Sequence, residues 1–584
     1  MNIKNSIEET IKKAVKAAFD LELETIEIDY PANDIYGDLA TSLPLGLAKS
    51  LKQNPMDIAK KLCYELQALE VTFDFDGQKH KIVESIEVAS PGFINFKLAD
   101  LWLKSLLLSP TPEFTHYKVE KHDHDKSVQI EFSAPNPCHA LHVGNTRNNF
   151  IGSSLVELYK FIGEKVISTN YMNDWSTSIC KAMLIYKKFH NGETPDIKLD
   201  HFVNDCYVAY GHEVEKGPSL DKELAEMFKK LEAGDTEVTA LWRKIVDWSI
   251  KGFKATYSNE NVYFDLWQYQ SDYRNSGKEV VHMALDQGIA HKDETGAVVA
   301  DLEKYDIPNK VLLRSDGTSI YSTQDLQLAK DSFEKYNLSK RIYVTDYRQI
   351  DYFKQIFKIL KILGFAWAGN LYHVPYGTVE LPEGLMSSRK GLITTSDEVM
   401  SKLTEIEKTE MTESIKGVSN IEESAKKVAL AAFRYGILKI DPKQNIIFRL
   451  DEVSKFEGNT GPYVLYTYAR AKSILEKASY DVAEAVDVFI LANHKLHQRE
   501  SALLKLFYKF YETVEQAALT FSPNLVANYV FDLAQKFNSF YAEVPIISAE
   551  SDEAKEFRLH LVFMSAEYLK KALNLLGIQT VERM

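Results

Sequence analysis

The sequence predicts an α/β protein: a Rossmann-like nucleotide-binding domain, preceded by a smaller α+β domain and followed by an all-α bundle. Three observations carry this. Val128-Gln129-Ile130-Glu131-Phe132 alternates apolar and polar residues like a strand. Leu155, Val156, Leu158 and Phe161 then recur at helical spacing, with Gly163 placed to stop the helix. The C-terminal part is amphipathic helix throughout.

The chain between that strand and helix, Ser133 to Ile151, reads SAPNPCHALHVGNTRNNFI. Open α/β sheets bind nucleotides at such turns, outside the carboxyl ends of their strands. Gly144 lets a flat ring approach the backbone without meeting a Cβ. N–H groups at a helix start favour phosphate oxygens. His139 and His142 lie three apart and can face one side together.

At 584 residues the chain is long enough for several domains, each with its own core. No apolar run approaches the ~20 residues of a membrane span, and the first residues read as an amphipathic helix of mixed charge, so no secretory signal is expected. Cys63, Cys138, Cys180 and Cys206 form no CxxC pair. No structural zinc and no disulfide framework are expected, and the setting is a reducing cytoplasm. A net charge of −14 does not exclude a nucleic-acid partner, because binding depends on where basic groups sit.

Residues 1–108 read as a separate domain. Helical stretches (7–19, 55–66) flank strand-like ones (25–30, 83–89), and Asn54-Pro55 suits a helix start. Tyr36 to Thr41 and Ala89 to Asn95 are turn-like. Residues 109–126 are polar and carry prolines, as a linker would. The nucleotide-binding domain spans 127–400, with a helical insertion at about 190–300. Val166 to Asn170 reads as its second strand. Trp242, Val246, Trp248 and Phe253 mark a buried helix face. The sheet is expected to resume at Lys310 to Leu313, and Arg341 to Val344 reads as a further strand. Tyr321 and Asp325 share a helix face. A helical stem, 401–432, precedes the α-helical domain at 433–584. Between Phe433 and Leu475 seven basic residues face four acids. They are Arg434, Lys439, Lys443, Arg449, Lys455, Arg470 and Lys472, with Tyr463, Tyr466 and Tyr468 interleaved. Splayed RNA bases stack on such rings.

The stretch His142-Val143-Gly144-Asn145 resembles the His-Ile-Gly-His signature of class I aminoacyl-tRNA synthetases. Glu131 to Asn136 matches the Glu-Phe-Ser-x-Pro-Asn that precedes it in the arginyl-tRNA synthetase family. Where that family has Gly-Asp-Trp-Gly, this chain has Asn173-Asp174-Trp175-Ser176. Leu385 to Gly391 is similar to the second signature, Lys-Met-Ser-Thr-Arg-Lys-Gly, with Leu385 in place of its first lysine. Phe456 to Arg470 matches the arginyl family almost residue for residue.

The resemblance implies ligation of L-arginine to tRNA(Arg), using ATP with Mg²⁺ carried on it and no protein metal site. His139, His142, Arg389 and Lys390 would be catalytic. Pro135, Gly144, Asn145, Met386, Ser387 and Ser388 would bind ATP. Glu131, Ser133, Asn136, Tyr321, Asp325 and Gln349 would bind arginine, with Glu131 and Asp325 on the guanidinium, since planar bidentate pairing suits that group. Lys443, Arg449, Tyr463, Tyr466, Arg470 and Met584 would meet tRNA, as the family's anticodon-binding bundle does. Residues 1–108 are similar to the domain that meets the tRNA elbow. No membrane partner is expected, and the chain is expected to act as a monomer. Two alternatives bracket this reading. Cysteinyl synthetases share the fold but place cysteine ligands for zinc. A non-catalytic RNA-binding paralogue would have little reason to keep both signatures and the arginine contacts.

Overall fold

The computed structural model describes residues 3–31, 33–108, 125–214, 219–380, 382, 394–414, 421–480 and 486–584. Contacts divide the chain into two compact units. One comprises Met1–Glu113, Ile474–Lys509 and Gln535–Tyr568; the other comprises Phe114–Ser473, Phe510–Ala534 and Leu569–Met584.

In the first unit, helix Ile3–Phe19 buries Ile3, Ile7, Ile11, Ala14 and Val15, one stripe of the helix. Asn54 caps helix Pro55–Ala68, its Oδ1 accepting from the Met56 N–H at 2.9 Å. Strand Phe93–Leu98 pairs antiparallel with Leu39–Thr41 on one side and Val83–Ala89 on the other. The turn into this sheet needs Gly37: φ is +94°, and a Cβ there would lie 2.8 Å from the Phe96 carbonyl oxygen. Residues 25–30, read as a strand, contribute only an isolated bridge between Asp29 and Ala40. The C-terminal helical segments join this unit through specific contacts. Lys505 pairs with Asp38 at 2.5 Å, and Lys104 Nζ donates to the His494 carbonyl at 2.9 Å.

The second unit is built on a five-stranded sheet. Its strands are β1 (Ser127–Glu131), β2 (Lys165–Met172), β3 (Leu266–Tyr269), β4 (Leu338–Asp346) and β5 (Leu371–Tyr376). All neighbours are parallel and the order is β5-β4-β1-β2-β3. The strand order reverses between β1 and β4, which puts a crevice at the carboxyl end of β1. Helix α1 (Val143–Phe161) follows β1 and is buried almost all round. Also used below are α2 (Thr236–Asn259), α3 (Tyr321–Tyr336), α4 (Ile350–Ile362), α5 (Ser396–Ser414) and α6 (Ile421–Leu438).

Two expectations about the sheet are corrected. Lys310–Leu313 does not continue it, but pairs with Val298–Ala300 in a separate antiparallel sheet. Conversely, β3 falls inside the stretch read as a helical insertion, yet pairs with β2. A four-residue strand carries too short a pattern to announce its partner. The tryptophans of α2 pack as expected: Trp242 is buried and its ring meets Trp175 edge-on at 5.3 Å. The turn at Asn173 to Ser176 requires no glycine. Neither residue has positive φ, and Ser176 is extended at φ −158°. Among the described residues no helix is long and apolar enough to cross a membrane.

Candidate active site

β1 leads into a turn that runs through two left-handed non-glycine residues, Ser133 (φ +70°) and Ala134 (φ +44°). That conformation costs energy and persists only where neighbours impose it. Asn148 on α1 does so. Its Oδ1 accepts from the Ser133 N–H at 2.6 Å, while Nδ2 donates to the Val344 carbonyl and to Tyr376. The Ser133 hydroxyl, a predicted arginine contact, lies 2.7 Å from Tyr257 Oη. Pro135 is buried beyond it, and Asn136 Oδ1 closes the turn by accepting from the Cys138 N–H at 3.0 Å.

His142 is the N-cap of α1. Its Nδ1 accepts from the Gly144 N–H at 3.1 Å, and Asn145 Oδ1 accepts from the His142 N–H at 3.1 Å, a reciprocal capping box. The ring that packs on Gly144 here is this imidazole: a Cβ at 144 would lie 2.8 Å from His142 Cε1. Because Nδ1 accepts, the imidazole proton sits on Nε2. Burial, then the neighbouring His139, push the His142 pKa down to about 4, so the ring is a neutral donor at physiological pH. Burial also lowers His139. The His139 ring stands edge-on to Tyr207 at 4.6 Å, and its buried Nδ1 has no partner among the described residues.

Beside this turn lie two carboxylates. Glu131 ends β1 and is buried, with Oε2 paired to the Arg341 Nη2 at 2.5 Å. Asp325, one turn into α3, accepts a hydrogen bond from the Tyr352 hydroxyl. Burial pushes Asp325 up to about 7, against the Tyr352 bond, and the Glu131 charge adds to the rise. Tyr321 is more than half exposed, with its ring 5.2 Å from that of Tyr352. Gln349 is exposed on the turn after β4. Arg341, Tyr352, Asn148 and Tyr257 were not singled out from sequence. A signal was available for two: an arginine heading the apolar run Ile342-Tyr343-Val344, and a polar run, Thr146 to Asn149, inside a helix with no exposed side.

Met386, Ser387, Ser388, Arg389 and Lys390, with Leu385, lie outside the described residues. The chain on either side of them is anchored to α1. On one side Val379–Glu380 pairs with Ile446–Ile447, and Arg147 of α1 donates to the carbonyls of Gly377, Thr378, Asp441, Pro442 and Gln444 at 2.7–3.3 Å. On the other side Thr395 bridges His142, and the Ser396 N–H donates to the Leu141 carbonyl at 2.8 Å. The buried Glu260 gathers donors from Ser396, Thr146 and Asn149 at 2.6–2.8 Å. Asp200, His201 and Asp397 approach within 4.8 Å of one another, as metal ligands could. Lys198 already supplies the cation: Nζ is 2.6 Å from Asp397 and 3.3 Å from Asp200.

The basic segment is less uniform than its composition suggests. Arg434 is fully buried, bonded to the carbonyls of Leu576 and Glu260. Lys439 Nζ is taken by the Asn459 carbonyl at 2.8 Å, and Tyr468 is core. A local charge excess counted from sequence therefore overstates the exposed charge. Lys443 and Arg449 are exposed, the latter 3.5 Å from Glu452. Tyr463 is half-buried against Phe531, whereas Tyr466 is exposed with the Arg470 guanidinium 4.8 Å over its ring. Met584 is half-buried at the end of the chain.

This parallel sheet with a capped, histidine-bearing helix at its switch point belongs to a defined class. The family model "tRNA synthetases class I (R), catalytic domain" matches residues 113–450, so the core is a class I aminoacyl-tRNA synthetase domain. The models of the arginyl tRNA synthetase N-terminal domain and the DALR anticodon binding domain match residues 1–98 and 464–584. The chain is 34% identical to the arginine–tRNA ligase of Flavobacterium psychrophilum, covering 100% of both. It is 36% identical to that of Treponema denticola over 96% of this chain and 95% of the relative. The structure of Thermus thermophilus arginyl-tRNA synthetase superposes with a TM-score of 0.85 at 26% identity, covering 100% of both chains. The chain belongs to the arginyl-tRNA synthetase family.

Proposed function

We propose that the chain is an arginine–tRNA ligase. It activates L-arginine with ATP and transfers it to the 3′-terminal adenosine of tRNA(Arg). The observation that carries this is the pairing of two features at one strand end. A neutral imidazole donor caps α1, the helix that follows β1, and Glu131, whose charge is felt by Asp325 of α3, ends β1.

An oxygen of the arginine carboxylate attacks the α-phosphorus of ATP. A P–O bond forms, the bond to the β-phosphate breaks, and pyrophosphate leaves. The terminal ribose 2′-hydroxyl then attacks the arginyl carbonyl, AMP leaves with the electron pair of the broken C–O bond, and the hydroxyl proton passes to the departing phosphate. The protein forms no covalent bond, so catalysis is positioning and charge stabilisation. His142 Nε2–H and His139 donate to the transferring phosphate. The first N–H groups of α1 add their partial positive charge. Arg389 and Lys390, with the hydroxyls of Ser387 and Ser388, meet the leaving pyrophosphate. Mg²⁺ would be carried on ATP, where it would offset phosphate charge. Glu131 and Asp325 take the guanidinium, and Asn136 and Gln349 the α-amino end. Lys443, Arg449, Tyr466 and Arg470 contact tRNA, and residues 1–108 its elbow.

The test is charging of total tRNA with radiolabelled arginine, lysine and cysteine. Arginine alone should be incorporated, and only with ATP. Tight tRNA binding without incorporation would instead support a non-catalytic RNA-binding role.

A further inference from the structure

Arg341 is an unusual residue to find inside a parallel sheet. It lies near the start of β4, fully buried, and its side chain follows the sheet face towards Glu131 on the neighbouring β1. Nη2 pairs with Glu131 Oε2 at 2.5 Å. Nη1 turns the other way and donates to α3, to the Leu328 carbonyl at 3.1 Å and to the Ser332 hydroxyl. Asp325 sits one turn before Leu328 on the same helix. One guanidinium therefore ties the strand that carries Glu131 to the helix that carries Asp325. The guanidinium plane also rests 4.8 Å from the Tyr343 ring, which restricts its motion.

The carboxylates share a pattern. Each has one oxygen fixed by a protein donor: Glu131 Oε2 by Arg341, and Asp325 Oδ2 by Tyr352. Among the described residues, neither Glu131 Oε1 nor Asp325 Oδ1 receives a donor.

We infer that Arg341 is a positioning residue for substrate recognition: it orients Glu131 and ties it to the helix that carries Asp325, leaving one oxygen of each carboxylate to meet a substrate guanidinium. Without Arg341 the Glu131 carboxylate would lose its one fixed donor and its link to α3, and its second oxygen would no longer be held in place for the substrate's N–H groups. This inference rests on the assignment of Glu131 and Asp325 to the guanidinium.

The test uses the full chain in arginine-charging kinetics with total tRNA, and five variants. Arg341→Met should raise the arginine KM about tenfold or more, while the ATP KM moves less than about twofold. Arg341→Lys keeps the charge without the fork and should recover most of that loss. In a Glu131→Gln background, Arg341→Met should add nothing further, because Arg341 acts through Glu131. Asp325→Asn tests the underlying assignment. If it leaves the arginine KM unchanged, the pocket itself is misassigned. If Asp325→Asn and Glu131→Gln raise the arginine KM but Arg341→Met does not, the pocket stands and the role of Arg341 is overturned. Should Arg341→Met not fold, Arg341→Gln retains a donor without the charge, and an unchanged arginine KM in that variant overturns the inference equally.

Discussion

Arg147 and Arg341 are both fully buried on the same domain, yet they are neutralised by opposite means. Arg147 donates to five backbone carbonyls and, among the described residues, to no carboxylate. Its pKa falls to about 10, chiefly through burial. Arg341 is buried as deeply, but Tyr343 and Glu131 outweigh burial and raise its pKa. The contrast separates two uses of one side chain. A carbonyl cage joins distant pieces of backbone and leaves the charge incompletely balanced. A carboxylate partner balances the charge and fixes where the remaining negative charge sits. The first is architecture, and the second bears on substrate.

The comparison breaks most visibly at Arg147. Arg147→Met should leave buried carbonyls without donors and destabilise the domain by about 3–5 kcal/mol, read by urea denaturation. The arginine KM of the folded fraction should not move. A loss below about 1 kcal/mol would mean that water or relaxation replaces the cage.

Next in size is Asp325. Asp325→Asn should raise the arginine KM roughly ten- to a hundredfold, since a charged hydrogen bond is worth ~1.5–3 kcal/mol. Its pKa, raised to about 7, gives a pH signature in the unaltered chain. Binding needs the carboxylate, so the arginine KM should fall about tenfold from pH 6 to pH 8. The folding term has the opposite sign. The folded state holds this proton more tightly than the unfolded chain, so stability from Asp325 declines as pH rises from about 4 to about 7. A flat KM profile would place a different group under the guanidinium.

Glu407 on α5 shows the cost of omitting a partner altogether. It is fully buried, neither carboxylate oxygen has a donor among the described residues, and burial pushes it up to about 8. Relative to its effect at pH 4, below the unfolded carboxylate's pKa, Glu407→Gln should stabilise the chain by about 1 kcal/mol or more at pH 9, measured by thermal melts at both. Equal effects at the two pH values would show that Glu407 is not the titrating group.

The smallest effects lie on the surface, where solvent replaces both kinds of partner. Arg449→Ala should weaken cognate and non-cognate tRNA alike and flatten the salt slope by about one charge. Tyr466→Ala should reduce discrimination between them by about 1 kcal/mol at any salt. Matching behaviour of the two variants across a salt series would place the RNA elsewhere. Tyr466 is the tyrosine to replace because it is exposed, whereas Tyr463 packs against Phe531.

The strand, turn and helix around Ser133 to Ile151 were legible because their periodicities are local and strong. Val166 to Asn170 and Arg341 to Val344 were legible for the same reason. The partners were not. Periodicity records which face of an element is buried, but not what lies on it. Lys310–Leu313 reads as well as any strand, yet it joins the antiparallel sheet. Arg434 reads as one more surface cation, until the chain brings the Leu576 carbonyl to it from 142 positions away. Asn145 had a local signal that was open to reading. A polar residue three positions after an N-cap is half of a capping box. The Arg147 cage had none, because its acceptors are backbone atoms that every residue carries.

That last property has an evolutionary side. Carbonyl oxygens are present whatever side chain is attached, so the residues that cradle Arg147 can drift while the joint survives, provided the backbone path is kept. Position 147 has no such freedom, because no other side chain offers two rigidly paired amino groups, the Nη1 and Nη2 that reach these carbonyls. Saturation mutagenesis should therefore find one frozen position facing permissive ones, such as Thr378 and Gln444, across a contact that spans nearly 300 residues of sequence. Covariation between these positions should be absent even though they touch.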